Sequence, residues 1–366
     1  MGATRSSVAV VRAAPATVLA DVGNAMRLGG FQAALPQGHP TLLKVNISWH
    51  WWYPACSTTP WQLAGTIEAL LGAGYPKASL AAAHNRTVVV SARLGERLNK
   101  HKPVTDAYGI PDIHLYDRGE EWVRYEPRAR MLVLGDMFPE GIRIPKRLLG
   151  ANIIHLPTVK THVFTTMTGA MKNAFGGLLF ERRHWTHSVI HETLVDLLAI
   201  QREIHPGLFA VMDGTWAGDG AGPRVMRVHE KDVILASADP VALDAIAAKM
   251  MGFDPLSIKF IRLAHEAGLG TGDPRDIEVV GEDITGVNWG FRTGDTLASR
   301  GQKLIYWGPL HRFETFLLRT VLAPWSYLAS ILYHDVLWYP LVGYWRVRRA
   351  LKGKWGRLFA GWPVRA

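Results

Sequence analysis

Between Lys160 and Gly177 the chain crowds together residue types that can do chemistry: Lys160, Thr161, His162, Thr165, Thr166, Thr168, Gly169, Lys172 and Asn173. Lys160 and Lys172 would hold negative charge. The His162 imidazole, with an ordinary pKa close to neutrality, would move a proton. Threonine hydroxyls and a glycine just ahead of a helix form the pattern of an anion-accepting N-terminus. Lys172 falls one turn into that helix, able to point back at whatever occupies its start. An apolar run, Asn152–Leu156, stops at Pro157, so all of these residues follow a strand's C-terminal end. In open α/β sheets ligands bind at that edge. Asp213, ahead of Gly214 at the end of a further apolar run, adds a carboxylate suited to orient a metal or the substrate.

Other candidates lie outside this segment. His184, His187 and His191 are spaced by three and four, so one helix could present His187 and His191 to a divalent metal. The alternative is histidines that merely decorate a partly exposed helix start. Asp219 lies in GDGAGP, which reads as a flexible loop beside the site and lacks the order of a P-loop. Asp239, just before Pro240, reads as a helix cap. Cys56 precedes a helix N-terminus, where a thiolate is favoured, though a buried neutral thiol is the default. Trp49, Trp51, Trp52 and Tyr53 follow a strand end and would either pack in the core or wall an apolar substrate pocket.

The elements that must position these residues alternate. Strands are predicted at Ser7–Val11, Thr41–Val45, Ala78–Ala83, Met131–Leu134, Asn152–Leu156, Leu208–Met212, Val233–Ala236 and Ile277–Val280. Helices are predicted over Ala16–Met26, Pro60–Leu71, His187–Glu203, Pro240–Met251 and Pro255–Ala267. Ser57, Thr58 and Thr59 are cap residues for the second helix. Strands separated by helix-length segments imply a largely parallel sheet covered by helices on both faces, as one large α/β domain or two packed lobes. That α/β domain spans 1–290, and a basic, aromatic tail spans 291–366.

The tail holds most of the charge. From Arg312 onward nine Lys and Arg face only Glu314 and Asp335, a net +7 of the chain's +10. A nucleic-acid groove across the domain is therefore disfavoured. Thr320–Trp345 is long enough to cross a bilayer, but Pro324, His334, Asp335 and Pro340 interrupt it. Tryptophans and tyrosines followed by basic residues from Arg346 to Arg357 match a segment lying on an anionic membrane. Packing on the domain or docking to a membrane-associated partner is the alternative. One cysteine excludes a self-contained iron–sulfur cluster and suits a reducing, cytoplasmic compartment. The first residues lack the unbroken apolar run of a secretory signal, and Met1-Gly2 with Ser6 fits a loose myristoylation pattern.

The segment Lys160-Thr161-His162 with Thr168-Gly169-Ala170-Met171-Lys172-Asn173-Ala174-Phe175-Gly176 resembles the signature of the family known as domain of unknown function 362. Further pieces follow that family's order: Lys44-Val45-Asn46, Thr58-Thr59-Pro60, His187 with His191, Asp213-Gly214, Gly220-Ala221-Gly222-Pro223, and Ala238 through Asp244. The resemblance runs from about residue 7 to 282 and adds Lys44 and Asn46 to the ligand-binding candidates. Many members carry ferredoxin-like cysteines, which this chain lacks, and Arg224 to Arg227 omits a glycine usual in the family. The order of strand, His162, small-residue loop and Lys172 is also similar to the N-terminal domain of nickel-pincer lactate racemases. That likeness implies His162 as acid–base group and Lys172 as an anchor.

The reading is thus an enzyme, an oxidoreductase or isomerase, acting on an anionic or partly apolar small molecule at Lys160–Gly177. His162, Lys172 and Asp213 are its catalytic candidates; Lys44, Asn46, Lys160, Thr161, Thr168, Gly169 and Asn173 bind the ligand. A divalent metal is the cofactor considered, and the cytoplasmic membrane face the location. The alternative is a non-catalytic cofactor-binding or assembly protein docked to a membrane complex through its tail.

Overall fold

A short apolar run becomes a buried strand when its alternate side chains each find a helical layer to pack against. In the computed structural model, which describes residues 5–362 apart from 86, 88, 180 and 320–323, twelve such strands form. They are β1 (Ser6–Arg12), β2 (Thr41–Val45), β3 (Leu80–His84), β4 (Asp112–His114), β5 (Trp122–Tyr125) and β6 (Ile142–Pro145). Then come β7 (Asn152–Leu156), β8 (Thr158–His162), β9 (Thr166–Met167), β10 (Leu208–Ala221), β11 (Val225–Ser237) and β12 (Ile277–Gly281). The main sheet is ordered β12-β1-β11-β10-β7-β2-β3-β4, with β8 paired to β10 and β9. It is parallel from β10 to β4 and between β12 and β1, while β11 enters antiparallel between β1 and β10. The mostly parallel α/β sheet expected from the sequence is present. Met1, Gly2 and Arg365 lie outside the described residues.

Both faces are covered, and the strand alternation shows how. Val8, Val10, Leu42, Ile153, Ala210 and Met212 join one core with helices Ile190–Ile204 and Pro240–Met251. Their neighbours Ala9, Val11, Leu43, Ile154, Phe209 and Val211 join a second core with helices Val18–Leu28 and Pro60–Gly72. That second core also contains Trp338, Val347, Trp355, Phe359 and Trp362 from the C-terminal region. The chain is one large domain, and its tail closes one face of it.

Local chemistry sets the element ends. Thr59 accepts from the Gln62 amide in a capping box and Pro60 opens the helix. Asp239 accepts from Val241 and Ala242, and Gly252 in the left-handed region ends that helix. Three expectations change. Met131–Leu134 is a turn leading into a short helix, because the Asp196 carboxylate gathers the amides of Leu132, Val133 and Leu134. GDGAGP is mostly the end of a long hairpin strand, where Asp219 binds Arg227 and His229. The helix expected from His187 starts at Ile190, after a 3-10 stretch over Glu181–Val189.

Candidate functional site

Pro157 breaks the strand of β7 and sends the chain on as β8, which pairs with β10 and carries Lys160 and His162 into the interior. A tight connection through β9 then leads to the short helix Gly169–Asn173. The expected anion site at that helix start is already filled by the protein. The Asp244 carboxylate accepts from Ala170 N at 2.5 Å and Met171 N at 3.1 Å. Gly169 sits at φ +69°, and a β-carbon there would collide with that carboxylate, so glycine is required twice over. Burial pushes the Asp244 carboxyl up to about 8, against the pull of the two amides. Asp244 was legible in the sequence only as a residue inside a helix.

The lysines are the unusual feature. Lys44 Nζ, at the end of β2, donates to Val45 O at 2.7 Å and Asn85 Oδ1 at 2.9 Å. Lys160 Nζ donates to Cys56 O at 3.0 Å and Thr158 Oγ1 at 2.7 Å, with its side chain fully enclosed. Lys172 is half-buried, its ammonium 5.5 Å from the centre of the Phe175 ring. None of the three has a carboxylate partner among the described residues. Burial lowers Lys44 and Lys160 to about 7 and Lys172 to about 8, with Arg183 adding to the first and last.

His162 is not poised near neutrality. Burial first, then the charges of Lys172, His187 and Lys160, hold its pKa well below the ordinary value. Its Nδ1 accepts from Phe164 N at 3.2 Å, which leaves the ring proton on Nε2. At neutral pH it is therefore a hydrogen-bond donor, and the lysines are the groups whose protons are labile. Asp213 stands apart from this group. Its carboxylate accepts from the hydroxyl of Thr59, from Trp61 Nε1 at 3.1 Å and from Thr215 N at 2.6 Å. Those bonds tie β10 to the helix that starts at Pro60, and burial holds the carboxyl above its usual range.

The remaining binding candidates divide. Asn173 Nδ2 donates to Lys44 O at 2.8 Å, linking the short helix to β2, and Thr161 Oγ1 donates to Gly220 O at 2.9 Å. Thr168 Oγ1 and Asn46 Nδ2 are buried without a partner among the described residues, so both keep hydrogen-bonding capacity. Beside Lys44, His155 and Gly177 lies a cavity of about 10 Å³, room for one water. His187 Nδ1 lies 2.9 Å from His184 O, and its ring is packed against Phe164, Phe175 and Tyr306. Among the described residues, His187 and His191 do not converge with a third ligand; the one group that could hold a metal is His84, Glu96 and Asp112. Sequence reasoning missed that group, although His84 closes β3 as Lys44 nearly closes β2.

Cys56 is enclosed, and burial raises its thiol to about 11, which makes it inert. The aromatic run does not wall a substrate pocket. Trp49 lies 6.0 Å from Trp338 and 5.1 Å from Tyr339, Trp51 stacks on Tyr339, and Trp52 stacks on Phe359 at 4.1 Å. Trp49 Nε1 donates to Asp335 Oδ1 at 2.5 Å. These residues are the seat of the C-terminal helices. Asp335 and His334 face inward beside the buried Trp338, while Leu328, Leu332, Val336, Leu337, Leu341 and Trp345 are exposed. No helix among the described residues is long and apolar enough to cross a membrane.

A family model described as domain of unknown function (DUF362) matches residues 41–249. The chain is also 29% identical, over 187 residues, to a thylakoid-associated protein of Synechocystis sp.. The match covers 49% of this chain and 53% of that protein, so the chain spans about half the length of this curated relative.

Proposed function

The chain belongs to the domain of unknown function 362 family, and from that premise we propose an enzyme, an isomerase or oxidoreductase, that holds a small anionic molecule among Lys44, Lys160 and Lys172. The observation that carries this reading is the set of buried ammonium groups with no carboxylate partner among the described residues. A buried cation without a counter-charge is costly, so such groups either shed protons or wait for an anion. An incoming carboxylate or phosphate supplies the missing charge and draws a proton onto the lysines. Lys172, partly exposed and lowered to about 8, keeps its proton at neutral pH and is the ammonium that would pair with the entering anion, with His162 Nε2–H as a second hydrogen-bond donor. Lys172, Phe164 and Thr166 are the site's partly exposed members, so an anion would enter on their side.

The second part of the reading is peripheral attachment to an anionic membrane. Its support is the exposed apolar row from Leu328 to Trp345 followed by exposed Arg348, Arg349, Lys352 and Arg357. The same tail favours the other reading, a non-catalytic assembly protein, and the relative's thylakoid association fits either.

Calorimetric titration with phosphate, oxalate and lactate at pH 7.5, in two buffers of different ionisation enthalpy, tests the site. Binding should be accompanied by net proton uptake, weaken as pH rises past 8, and fall at least about tenfold in Lys172→Met, the loss of one charged hydrogen bond. Anion binding without proton uptake, or undiminished in that variant, would sink the proposal. Turnover lost in Lys172→Met with anion binding elsewhere intact favours the enzyme over the assembly protein.

A further inference from the structure

At the far end of the same strand edge, β3 and β4 run in parallel register so that His84 lies directly beside His114, their rings stacked at 5.2 Å. The helix Ala92–Leu98 lowers Glu96 onto this pair, and Asp112 stands at the start of β4. His84 Nε2 is 2.9 Å from Asp112 Oδ1 and 3.8 Å from Glu96 Oε2; His114 Nε2 is 2.8 Å from the same Glu96 oxygen. One ligand atom from each of His84, Glu96 and Asp112 lies within 4.8 Å of the others. The group is enclosed, with His84 1%, Glu96 3% and His114 7% exposed.

From this geometry we propose that His84, Glu96 and Asp112, with His114 beside them, bind a first-row divalent transition ion. Two carboxylates inside the protein need two positive charges. A divalent ion supplies both at one point, and imidazole nitrogens and carboxylate oxygens are its ordinary ligands. His101 reinforces this. Its Nε2 lies 2.7 Å from Thr58 O and so carries the proton, leaving a buried Nδ1 lone pair unused, with rings 6.3 Å from His84.

The donor set narrows the ion. One imidazole nitrogen and two carboxylates, with the His114 imidazole against Glu96 and no thiolate, suit zinc, manganese or iron rather than calcium or magnesium, which prefer all-oxygen cages. Metal–ligand bonds of about 2.0–2.2 Å require His84 and Asp112 to part slightly, as expected when an ion replaces a shared proton. Thr105 Oγ1 donates to the second Asp112 oxygen at 2.7 Å, the kind of outer contact that fixes a ligating carboxylate. A cleft of about 600 Å³ opens nearby, lined by Ala92, Arg93 and Tyr116 on one side and Ile331 and Asp335 on the other. The Tyr116 ring is 5.6 Å from His114, which places the ion one side chain away from solvent.

The test uses the full chain stripped with a chelator and dialysed, then titrated with Zn²⁺, Mn²⁺ and, as a control, Mg²⁺. One equivalent of Zn²⁺ or Mn²⁺ should bind with proton release and raise Tm, and Mg²⁺ should not. Loss of outer contacts alone costs about 10–100-fold in affinity, so Glu96→Gln should cost at least as much. His187→Asn/His191→Asn should leave binding unchanged. Co²⁺ loading of the unaltered chain gives a readout that needs no variant: visible absorption bands of a nitrogen–oxygen site. Absence of stoichiometric binding overturns the proposal. So does binding that survives Glu96→Gln, or binding lost in the His187/His191 variant instead.

Discussion

Replacing Lys160 with methionine should change how stability depends on pH more than stability itself. Lys160 is 0% exposed, and burial lowers its ammonium from 10.5 to about 7. The unfolded lysine keeps its proton up to 10.5, whereas the folded one releases it through 7. Between those values the unfolded chain binds more protons, so stability rises with pH across that window and the penalty is full below it. At about 1.4 kcal/mol per pH unit, the penalty is about 4–5 kcal/mol at neutral pH and below. By pH 9 roughly 2–2.5 kcal/mol of it has been relieved. Methionine has a similar shape and no charge, but it abandons the bonds to Cys56 O and Thr158 Oγ1, about 1 kcal/mol each and independent of pH. Lys160→Met should thus be the more stable protein at pH 7, by about 2 kcal/mol, and should have lost that advantage at pH 9. Urea unfolding followed by far-ultraviolet circular dichroism at pH 7, 8 and 9 measures both quantities. An unchanged pH slope in the variant refutes the reasoning, whatever the change in midpoint, because it would show that Lys160 titrates where an exposed lysine does.

The C-terminal helices yield two further expectations. Trp355 is fully buried, 5.4 Å from Trp61, and its indole N–H donates to Asp232 Oδ1 at 2.7 Å, so Trp355→Ala should cost about 3–5 kcal/mol and expose the tail to limited proteolysis. A tail that stays protected would mean that the aromatic seat does not hold it. Leu337 and Leu341 are 54% and 69% exposed, and burial of each in lipid is worth about 1.5–3 kcal/mol. Flotation with vesicles of phosphatidylglycerol and phosphatidylcholine should recover the full chain, and Leu337→Glu/Leu341→Glu should reduce recovery at least tenfold; equal flotation by the two proteins argues against this face as the contact.

Most parallel strands were legible because they are short apolar runs ended by a polar or small residue, and β2 and β7 match their sequence-derived limits residue for residue, whereas the polar β4 and β8 went unread. Met131–Leu134 misled because its apolar pattern is that of a strand, while its backbone is shaped by Asp196, more than sixty positions away. The same kind of distant carboxylate explains the site. Thr168-Gly169 looked like an open anion acceptor, and nothing local reveals that Asp244 from another helix already fills it. Pairing across such distances is a property of topology, not of spacing. Lysine burial was equally hidden: Lys44 and Lys160 read as ligand-binding charges, and only the sheet order, which places a neighbour on each side of their strands, shows them enclosed.

One edge of the sheet gathers almost everything polar. Lys44 lies near the end of β2, His84 and His114 end β3 and β4, and Pro157 passes the chain from β7 into the lysine-bearing β8. The loop Trp49–Tyr53 leaves that same edge after β2, and the C-terminal helices settle on it. Ile331 and Asp335, from those helices, form a wall of the cleft that approaches the histidine–carboxylate group. Attachment of the tail and access to the interior are therefore not separate matters. A tail held by Asp335 to Trp49 on its inner side, and offering leucines on its outer side, joins the surface that would meet a membrane to the cleft through which a ligand would arrive. That arrangement explains why His334 and Asp335, which argued against a span in the sequence, sit where they do: they face the protein with Trp338, while Leu328, Leu332, Val336, Leu337 and Leu341 around them are left for a partner.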